Sequence, residues 1–190
     1  GSLTIGGVSV GAGGTQARAR YYEGNFLGDI GGFSAIYIND GAPVITGNYI
    51  GTDRLGQGVN CTVGITVAAN ADGPTIGGAT YGQGNVISSA SYSIEFLSTS
   101  ATTTTIIGNY IGTTYDSGTW YDPGTGIPTF QAEHAIYVNG TGALTIGGTH
   151  TGSANSATVV SRINQGNYIA FHNTANKAGI YVNDGAPTIS

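Results

Sequence analysis

The chain has 190 residues, a formal net charge of −5 and a sequence pI near 4.8, with 34 glycines and only 8% charged residues. Its Lys and Arg residues form no cluster beyond Arg18 and Arg20, which argues against nucleic acid or an anionic membrane as partner, since both need concentrated positive charge. No apolar stretch approaches the roughly 20 residues of a membrane-spanning helix. The single cysteine, Cys61, excludes an internal disulfide. We expect it to be a small apolar residue in a turn, with pairing between chains as the alternative.

The first predicted element is a short strand that carries a Thr-Ile or Val-Ile pair. Its isoleucine recurs about every 30 to 43 residues, a period typical of solenoids and propellers. Because side chains alternate along a strand, this isoleucine is predicted to point into a core and the residue before it to point outward. The inward residues are Ile5, Ile45, Ile76, Ile106, Ile146 and Ile189. The outward residues are Thr4, Val44, Thr75, Thr105, Thr145 and Thr188.

The second element follows a Gly-Asn step. Asparagine suits a tight corner because its side-chain amide can bond the next asparagine and the main chain, and the preceding glycine allows a close approach. We therefore predict a ladder of stacked asparagines formed by Asn25, Asn48, Asn85, Asn109 and Asn167. An apolar pair follows each step, and its first residue is predicted to point outward. These outward residues are Phe26, Tyr49, Val86, Tyr110 and Tyr168.

The third element is an Ile-x-Ile, Ile-x-Val or Ile-x-Phe strand, and the order of the three elements never changes. Its outward residues are Tyr37, Thr66, Glu95, Tyr137 and Tyr181. Stacked coils place equal residues about 4.8 Å apart in parallel register, whereas a propeller blade needs four antiparallel strands. The sequence therefore predicts an all-β fold: a three-sided parallel β-helix of about five coils, with strands of four to five residues, in a single domain, 1–190. Loop insertions are expected at two corners, in 8–23 and 149–165 and in 51–63 and 112–133.

Two runs of sequence carry a resemblance to a known family. They are GNYIGTDRLG at 47–56 and GNYIGTTYDSG at 108–118, and TIGG also precedes GNVIS. These runs resemble the right-handed parallel β-helix repeats, of pectin-lyase-like fold, of large secreted bacterial surface and adhesin-type proteins. The resemblance covers essentially the whole chain and implies a right-handed β-helix, but it is uninformative about chemistry. The second run has Thr114 where the first has Asp53, so this aspartate is not supported as a repeated ion ligand.

Long loops on a rigid scaffold are where function normally lies. In 112–133 the only tryptophan, Trp120, lies near Tyr115 and Tyr121 in sequence. These rings could stack on sugars, or they could fold the loop back onto the neighbouring coil. The further candidates for contact with a glycan or another partner are the outward rings Tyr49, Tyr110 and Tyr168.

β-Helices of the resembled kind include polysaccharide lyases and hydrolases, so the positions of the acids bear on catalysis. Hydrolysis needs two carboxylates about 5 to 9.5 Å apart. Glu95 is the only acid at an outward strand position, and Asp40 and Asp184 fall in coils one and five, too far apart to cooperate. We therefore expect no enzyme and no catalytic residues. The only acidic and histidine side chains that lie close together in sequence are those of Asp116, Asp122, Glu133 and His134.

We expect neither a cofactor nor a metal centre. His134, His150 and His172 are dispersed, and no pair of cysteines or His-x-x-x-His motif is present. An isolated calcium ion in an Asp-Gly loop is the alternative left open. Asn60 and Asn139 match the N-glycosylation pattern and are candidates for modification in a glycosylating host.

The function expected is structural. The chain opens in Thr4-Ile5 and closes in Thr188-Ile189, and GIYVNDGAP at 179–187 repeats AIYINDGAP at 35–43, so both ends are expected to expose strand edges and core. The composition of the chain is rich in Thr, Ser, Asn and Gly and poor in Lys, which is typical of extracellular proteins. We therefore expect a rod or filament-forming segment of an extracellular surface, matrix, sheath or adhesin protein. Its expected partners are copies stacked end to end, or neighbouring coils of a longer chain. The alternative is a polysaccharide-binding or polysaccharide-degrading β-helix that uses the Trp120 loop.

Overall fold

The computed structural model of the chain describes residues 3–7, 24–28, 30–52, 59, 61–80, 82–89, 91–112, 132–148, 166–169 and 178–190. Within these ranges the regular structure consists of β-strands alone, numbered β1 to β16 in chain order. Every third strand belongs to the same sheet, so the chain visits three sheets in turn. One visit to each sheet makes a coil, and the described strands form five coils followed by β16.

The three sheets are the three sides of the molecule. The first consists of β1 (Thr4–Gly6), β4 (Val44–Thr46), β7 (Thr75–Gly77), β10 (Thr104–Ile107), β13 (Leu144–Ile146) and β16 (Thr188–Ile189). The second consists of β2 (Phe26–Leu27), β5 (Tyr49–Ile50), β8 (Val86–Ile87), β11 (Tyr110–Ile111) and β14 (Tyr168–Ile169). The third consists of β3 (Ile30–Gly41), β6 (Cys61–Ala71), β9 (Tyr92–Phe96), β12 (His134–Asn139) and β15 (Ala178–Asp184).

Neighbouring coils pair in parallel and in register. In the first sheet Ile45 faces Ile5 on one side and Ile76 on the other, and Thr105 lies between Thr75 and Thr145. The second and third sheets show the same relationship for the residues predicted to be equivalent. The predicted three-sided parallel β-helix is therefore confirmed.

The core lies along the axis, between the three sheets. The inward isoleucines of the first side, Ile45, Ile76 and Ile106, are fully buried. They pack with their counterparts on the other two sides, among them Ile50, Ile87, Ile65 and Ile94. Burial of each such side chain stabilises the fold by about 1.5 to 3 kcal/mol, which offsets the chain entropy lost on ordering.

Strand lengths differ from those expected. The strands of the second side have only two residues, because each begins after the asparagine corner and two of them are followed by Gly51 and Gly112, at φ +67° and +68°. A positive φ ends the extended conformation and favours glycine. On the third side β3 has 12 residues and β6 has 11, and their pairing shifts register between Ile30 and Ser34.

Two outward positions on the second side are buried. Tyr49 is 4% exposed and Val86 is 0% exposed, although each precedes an inward isoleucine. The Tyr49 ring stacks on Phe26, with ring centroids 5.0 Å apart and planes 8° apart. Alternation therefore predicts the direction of these side chains, but not their exposure.

The prediction of a turn at Cys61 is wrong. Cys61 begins β6, pairs with Ile30 and is fully buried, because the β-branched residues that follow it extend the strand upstream of Ile65. Its Sγ donates to the carbonyl oxygen of Val63 at 3.1 Å. Burial raises the pKa of the Cys61 thiol, and a hydrogen bond with the backbone of Ala35 opposes that shift to a smaller extent.

Candidate functional site

The asparagine corner is the most regular polar feature of the described chain. The side-chain Oδ1 of Asn85 accepts two hydrogen bonds from Asn48, one from the backbone N–H and one from Nδ2, both at 3.0 Å. Asn85 in turn donates in the same way to Asn109, at 3.0 and 2.9 Å. The same pair of bonds joins Asn25 to Asn48 and Asn109 to Asn167. The five asparagines thus stack as a hydrogen-bonded ladder, as predicted.

The ladder has a direction. At every step the asparagine nearer the N-terminal coil donates, and the asparagine of the following coil accepts. Within the described residues, Oδ1 of Asn25 therefore accepts no bond from a preceding asparagine, and the backbone N–H of Asn167 has no following asparagine to which to donate. The two end coils consequently present complementary hydrogen-bonding groups at this corner.

Four of the five side-chain amides also donate to the main chain of the preceding coil. Nδ2 of Asn85 donates to the carbonyl oxygen of Ile45 at 2.8 Å, and Nδ2 of Asn109 donates to that of Ile76 at 2.9 Å. Asn167 makes the equivalent bond to Ile106 at 2.7 Å. The corner therefore fixes the first sheet to the second, and one coil to the next.

Glycines allow this close spacing of coils. A Cβ added to Gly84, in the corner itself, would lie 1.7 Å from the carbonyl oxygen of Gly108. A Cβ on Gly77 would lie 1.9 Å from the carbonyl oxygen of Ile107. Both contacts are with backbone atoms of the next coil, which cannot move aside as a flexible side chain can.

Four aromatic side chains form a stacked group on the outer face of the third sheet, which we call the aromatic column: Tyr92, His134, Tyr137 and Tyr181. Ring centroids are 4.5 Å apart for Tyr92 and Tyr137, 4.5 Å for His134 and Tyr181, and 5.8 Å for Tyr137 and Tyr181. The planes in these pairs differ by 8° to 12°. The rings therefore cover part of one another's faces, and such pairs add about 0.5 to 1.5 kcal/mol beyond the area they bury.

The aromatic column also binds the last coil through a polar contact. Nδ1 of His134 accepts a hydrogen bond from the backbone N–H of Ala178, the first residue of β15, at 3.2 Å. Burial raises the pKa of the Tyr92 phenol, with a further contribution from the negative charge of Glu133. Tyr92 and His134 pair in register, and each lies two positions before an inward isoleucine, so alternation along the strand predicts that both point inward. Their stacking with the outward tyrosines is therefore not predicted by residue spacing.

The candidate glycan-contact residues fall into three groups. Tyr115, Trp120 and Tyr121 lie outside the described residues. Tyr49 is buried against Phe26, whereas Tyr168 is 46% exposed. Tyr110 is half-buried. The centroids of its ring and that of Tyr168 are 6.4 Å apart, and the two ring planes are inclined by 40°.

Several of the described acids accept local hydrogen bonds. Glu95 accepts a hydrogen bond from the hydroxyl of Thr66 at 3.0 Å. Asp40 and Asp184 each accept one from the backbone N–H of the glycine that follows, at 2.6 and 2.7 Å. Asp116 and Asp122, which were part of the dense acidic group, lie outside the described residues.

The described ranges hold no group of three or more His, Cys, Asp or Glu residues close enough to bind a metal ion together. A helix with the length and apolarity to cross a membrane is likewise not found among them. Of the two candidate glycosylation sites, Asn139 is exposed and its Oδ1 accepts a bond from Nδ2 of Asn183 at 2.8 Å. Asn60 lies outside the described residues.

Two buried hydroxyls have no hydrogen-bond partner in the described part of the molecule: Oγ1 of Thr46 and Oγ1 of Thr104. Thr104 occupies an inward position of the first sheet, where it pairs with Leu144. A hydroxyl buried without a partner costs about 1 to 3 kcal/mol. It is a local weakness in an otherwise apolar core.

The large exposed apolar side chains lie at the two ends of the helix. Among the described residues they belong to coil 1, or to coil 5 and β16: Leu3, Phe26, Phe33, Tyr37, Tyr168, Tyr181, Val182 and Ile189. Leu3, Val182 and Ile189 occupy inward positions, and their equivalents Leu144 and Val138, in strands that have a neighbouring strand on each side, are buried. They are exposed because the described structure places no further coil over them.

Neither a protein family, nor a curated protein, nor a solved structure matches this chain.

Proposed function

We propose that the chain is a rigid, non-enzymatic rod segment of an extracellular or cell-surface protein, and that its end coils take up further β-helical coils. The observation that carries this proposal is the position of the exposed apolar side chains. Leu3 is 61% exposed and Ile189 is 57% exposed, at opposite ends of the axis. Apolar surface of this kind is typical of an interface.

The regular stacking supports a mechanical function. An apolar core, the asparagine ladder and three parallel sheets run through the described coils without interruption. Each coil contacts mainly its neighbours, as in other solenoids, so rigidity and length increase together as coils are added.

Two finer features belong to the same proposal. We assign the β-helix a right-handed sense, because parallel strands of one sheet joined by a crossover are right-handed in about 98% of cases. The Thr-, Ser-, Asn- and Gly-rich composition with few lysines supports an extracellular location, as in the large secreted bacterial surface proteins that the repeats resemble. The added coils are supplied either by a longer polypeptide or by other copies.

The competing function is polysaccharide binding. The exposed ring of Tyr168 favours it, since exposed aromatic faces stack on sugars. The aromatic column is less suited to this role, because its rings already stack on one another.

Sedimentation velocity over a range of concentrations, with electron microscopy of the same samples, tests the proposal. We expect species of increasing length and constant width as the concentration rises. A glycan array with the native chain and the Trp120→Ala variant tests the competitor. A monomer at every concentration, together with saturable glycan binding that is lost in Trp120→Ala, would contradict the rod.

A further inference from the structure

The outer face of the third sheet carries two adjacent lines of side chains, each with one residue from every coil. The first line consists of Ser34, Val63, Tyr92, His134 and Ala178, which pair in register. The second line consists of Tyr37, Thr66, Glu95, Tyr137 and Tyr181, which pair in the same way. The two lines lie side by side, because the His134 and Tyr137 rings of coil 4 have centroids 6.0 Å apart and planes that differ by 15°.

The aromatic column stops at coil 3, in the middle of the described structure. Tyr92 stacks on both rings of coil 4, with its centroid 4.5 Å from that of Tyr137 and 5.9 Å from that of His134. Its opposite face is therefore directed to coil 2, since β9 lies between β12 and β6. At that level the two lines hold Val63 and Thr66, and β6 has no aromatic residue.

The small side chains of coil 2 leave a depression between larger neighbours. We call it the coil-2 depression: Val63 and Thr66 form its floor, Tyr37 of coil 1 lies on one side, and Tyr92 and Glu95 of coil 3 lie on the other. Coils 1 and 3 are two strand spacings apart, about 9.6 Å. Stacked rings of the aromatic column follow one another at a single spacing. One planar group therefore fits against the Tyr92 ring at the level of coil 2.

Glu95 provides a fixed hydrogen-bond acceptor at the edge of the coil-2 depression. Its Oε2 accepts a hydrogen bond from the hydroxyl of Thr66 at 3.0 Å. Because that hydroxyl has one proton, the 2.6 Å bond between Ser34 and Thr66 is donated by Ser34. The two bonds hold the carboxylate in position, while its Oε1 has no hydrogen-bond partner in the described part of the chain.

The surroundings of the coil-2 depression are negatively charged. The pKa of the Tyr92 phenol is raised chiefly by burial, and the charges of Glu133 and Glu95 contribute to the shift, so both carboxylates act on this ring. Glu133 is exposed, and the described ranges contain no Lys or Arg. The chain as a whole has a net charge of −5. These charges favour a cation over an anion or a neutral ring as the group that lies against Tyr92.

We propose that the coil-2 depression binds an arginine side chain from a basic segment of another protein. The guanidinium stacks on the Tyr92 ring and donates to Oε1 of Glu95. Arginine is the cation that fits, because its guanidinium is planar, stacks on aromatic faces and presents N–H groups that match a carboxylate. A lysine ammonium makes the charge contact without the planar stack. This site goes beyond the proposed function, since it lies on the side of the rod and does not depend on how the coils continue.

An NMR titration with three Gly-Ser peptides tests the ligand. The peptides differ only in carrying arginine, lysine or citrulline, the neutral planar analogue of arginine, at the same positions. We expect saturable binding of the arginine peptide that weakens as salt is added, binding of the lysine peptide that is at least severalfold weaker, and no saturable binding of the citrulline peptide. If the lysine or the citrulline peptide binds as tightly as the arginine peptide, or if the arginine peptide does not bind, the proposal is overturned.

Three variants test where the arginine binds. Glu95→Gln should weaken binding of the arginine peptide about tenfold or more, because a hydrogen bond to a charged group is lost. Val63→Tyr should block binding, because its ring extends the first line towards Ser34 and fills the coil-2 depression. Asp72→Asn is the matched control: it removes the same charge at an exposed corner, where Asp72 accepts a bond from Ser100, and should bind like the native chain. Circular dichroism of each variant checks that it folds.

The variants also give the results that would contradict the site. Equal losses of affinity in Glu95→Gln and Asp72→Asn would show that the peptide responds to net charge alone. Unchanged binding in Val63→Tyr would place the arginine outside the coil-2 depression. A neutral sugar that binds the native chain and is excluded by Val63→Tyr would identify a glycan site instead. Each of these results overturns this inference and leaves the proposed function, which is tested by the association of the native chain, unaffected.

Discussion

Oδ1 of Asn85 accepts two hydrogen bonds from Asn48, one from its backbone N–H and one from its side-chain amide, each at 3.0 Å. Asn85 is fully buried, so no water can replace these bonds if its side chain is lost. The same amide group donates to the carbonyl of Ile45 and to Asn109. One side chain thereby serves buried groups in the coils before and after it.

Asn85→Ala should lower the free energy of unfolding by about 3 to 5 kcal/mol, because several buried polar groups lose their partners and each costs about 1 to 3 kcal/mol. Asn25→Ala is the matched control at the exposed end of the ladder, and we expect a loss of about 1 kcal/mol or less there. Urea unfolding of both variants measures the difference. If the two variants lose equal free energies of unfolding, the buried asparagine contributes no more to stability than the exposed one, which contradicts this interpretation.

In the Asn85→Asp variant we expect the free energy of unfolding to depend on pH. The variant keeps one acceptor oxygen but turns the other towards the carbonyl of Ile45 and Oδ1 of Asn109, the partners of the native amide. Burial and these acceptors raise the pKa of the new carboxyl in the folded state. Folded protein then binds more protons than unfolded protein, so the destabilisation is largest at neutral pH and decreases as the pH falls.

Gly77→Ala should destabilise the protein much more than Gly41→Ala. Both glycines have positive φ, +88° and +77°, so alanine is strained by about 1 to 2 kcal/mol at either position. Only at Gly77 does the added Cβ overlap a backbone atom of the next coil, whereas at Gly41 it meets nothing within 4 Å. We expect a total loss above about 3 kcal/mol for Gly77→Ala in thermal or urea unfolding. Similar losses at the two positions would contradict the close contact between coils.

Thr104→Val should stabilise the protein by about 1 kcal/mol or more, because valine has the same shape and lacks the unpartnered hydroxyl. Thr105→Val, at the adjacent outward position, is the control and should change stability by less than about 0.5 kcal/mol. Denaturant midpoints of the two variants provide the comparison. A loss of stability in Thr104→Val would mean that the hydroxyl has a partner.

Cys61 should react with a thiol reagent only when the protein unfolds. Its side chain is fully buried and burial raises its thiol pKa, so both access and thiolate formation are suppressed. The unfolded thiol ionises near its ordinary pKa of about 8.5, so the free energy of unfolding should fall as the pH rises above that value. Cys61→Ala should remove this part of the dependence. Fast labelling of the folded chain at pH 8 would contradict the buried position.

The register of the coils could be predicted because it is determined by a single inward isoleucine in each strand. An isoleucine displaced by one position would point out of the core, so Ile45, Ile76 and Ile106 can stack in only one way. The asparagine ladder can be predicted for a similar reason, since Asn48 and Asn85 each lie two residues before an inward isoleucine of the second side, Ile50 and Ile87.

Exposure and strand ends could not be predicted in this way. Tyr49 and Tyr168 are equivalent in sequence, yet one is 4% exposed and the other 46%, because exposure depends on which coils and segments lie alongside. A lone cysteine carries no periodic signal, so the sequence does not show that Cys61 begins a strand. The stacking of His134 on Tyr181 depends on side-chain conformations across two coils, which residue spacing alone does not determine.

In the stacked β-helix, equivalent residues of successive coils are neighbours, whereas equivalent residues two coils apart are not. In a Cys61→Ala background, Thr75→Cys with Thr105→Cys tests the first relationship, and Thr75→Cys with Thr145→Cys tests the second. Thr75 pairs directly with Thr105, within the Cα separation of about 4.4 to 6.8 Å that a disulfide requires. Thr75 and Thr145 are two strand spacings apart, about 9.6 Å. We predict that mild oxidation cross-links the first pair within the monomer and leaves the second pair free. Equal cross-linking of both pairs, or of neither, would contradict the stacked coils.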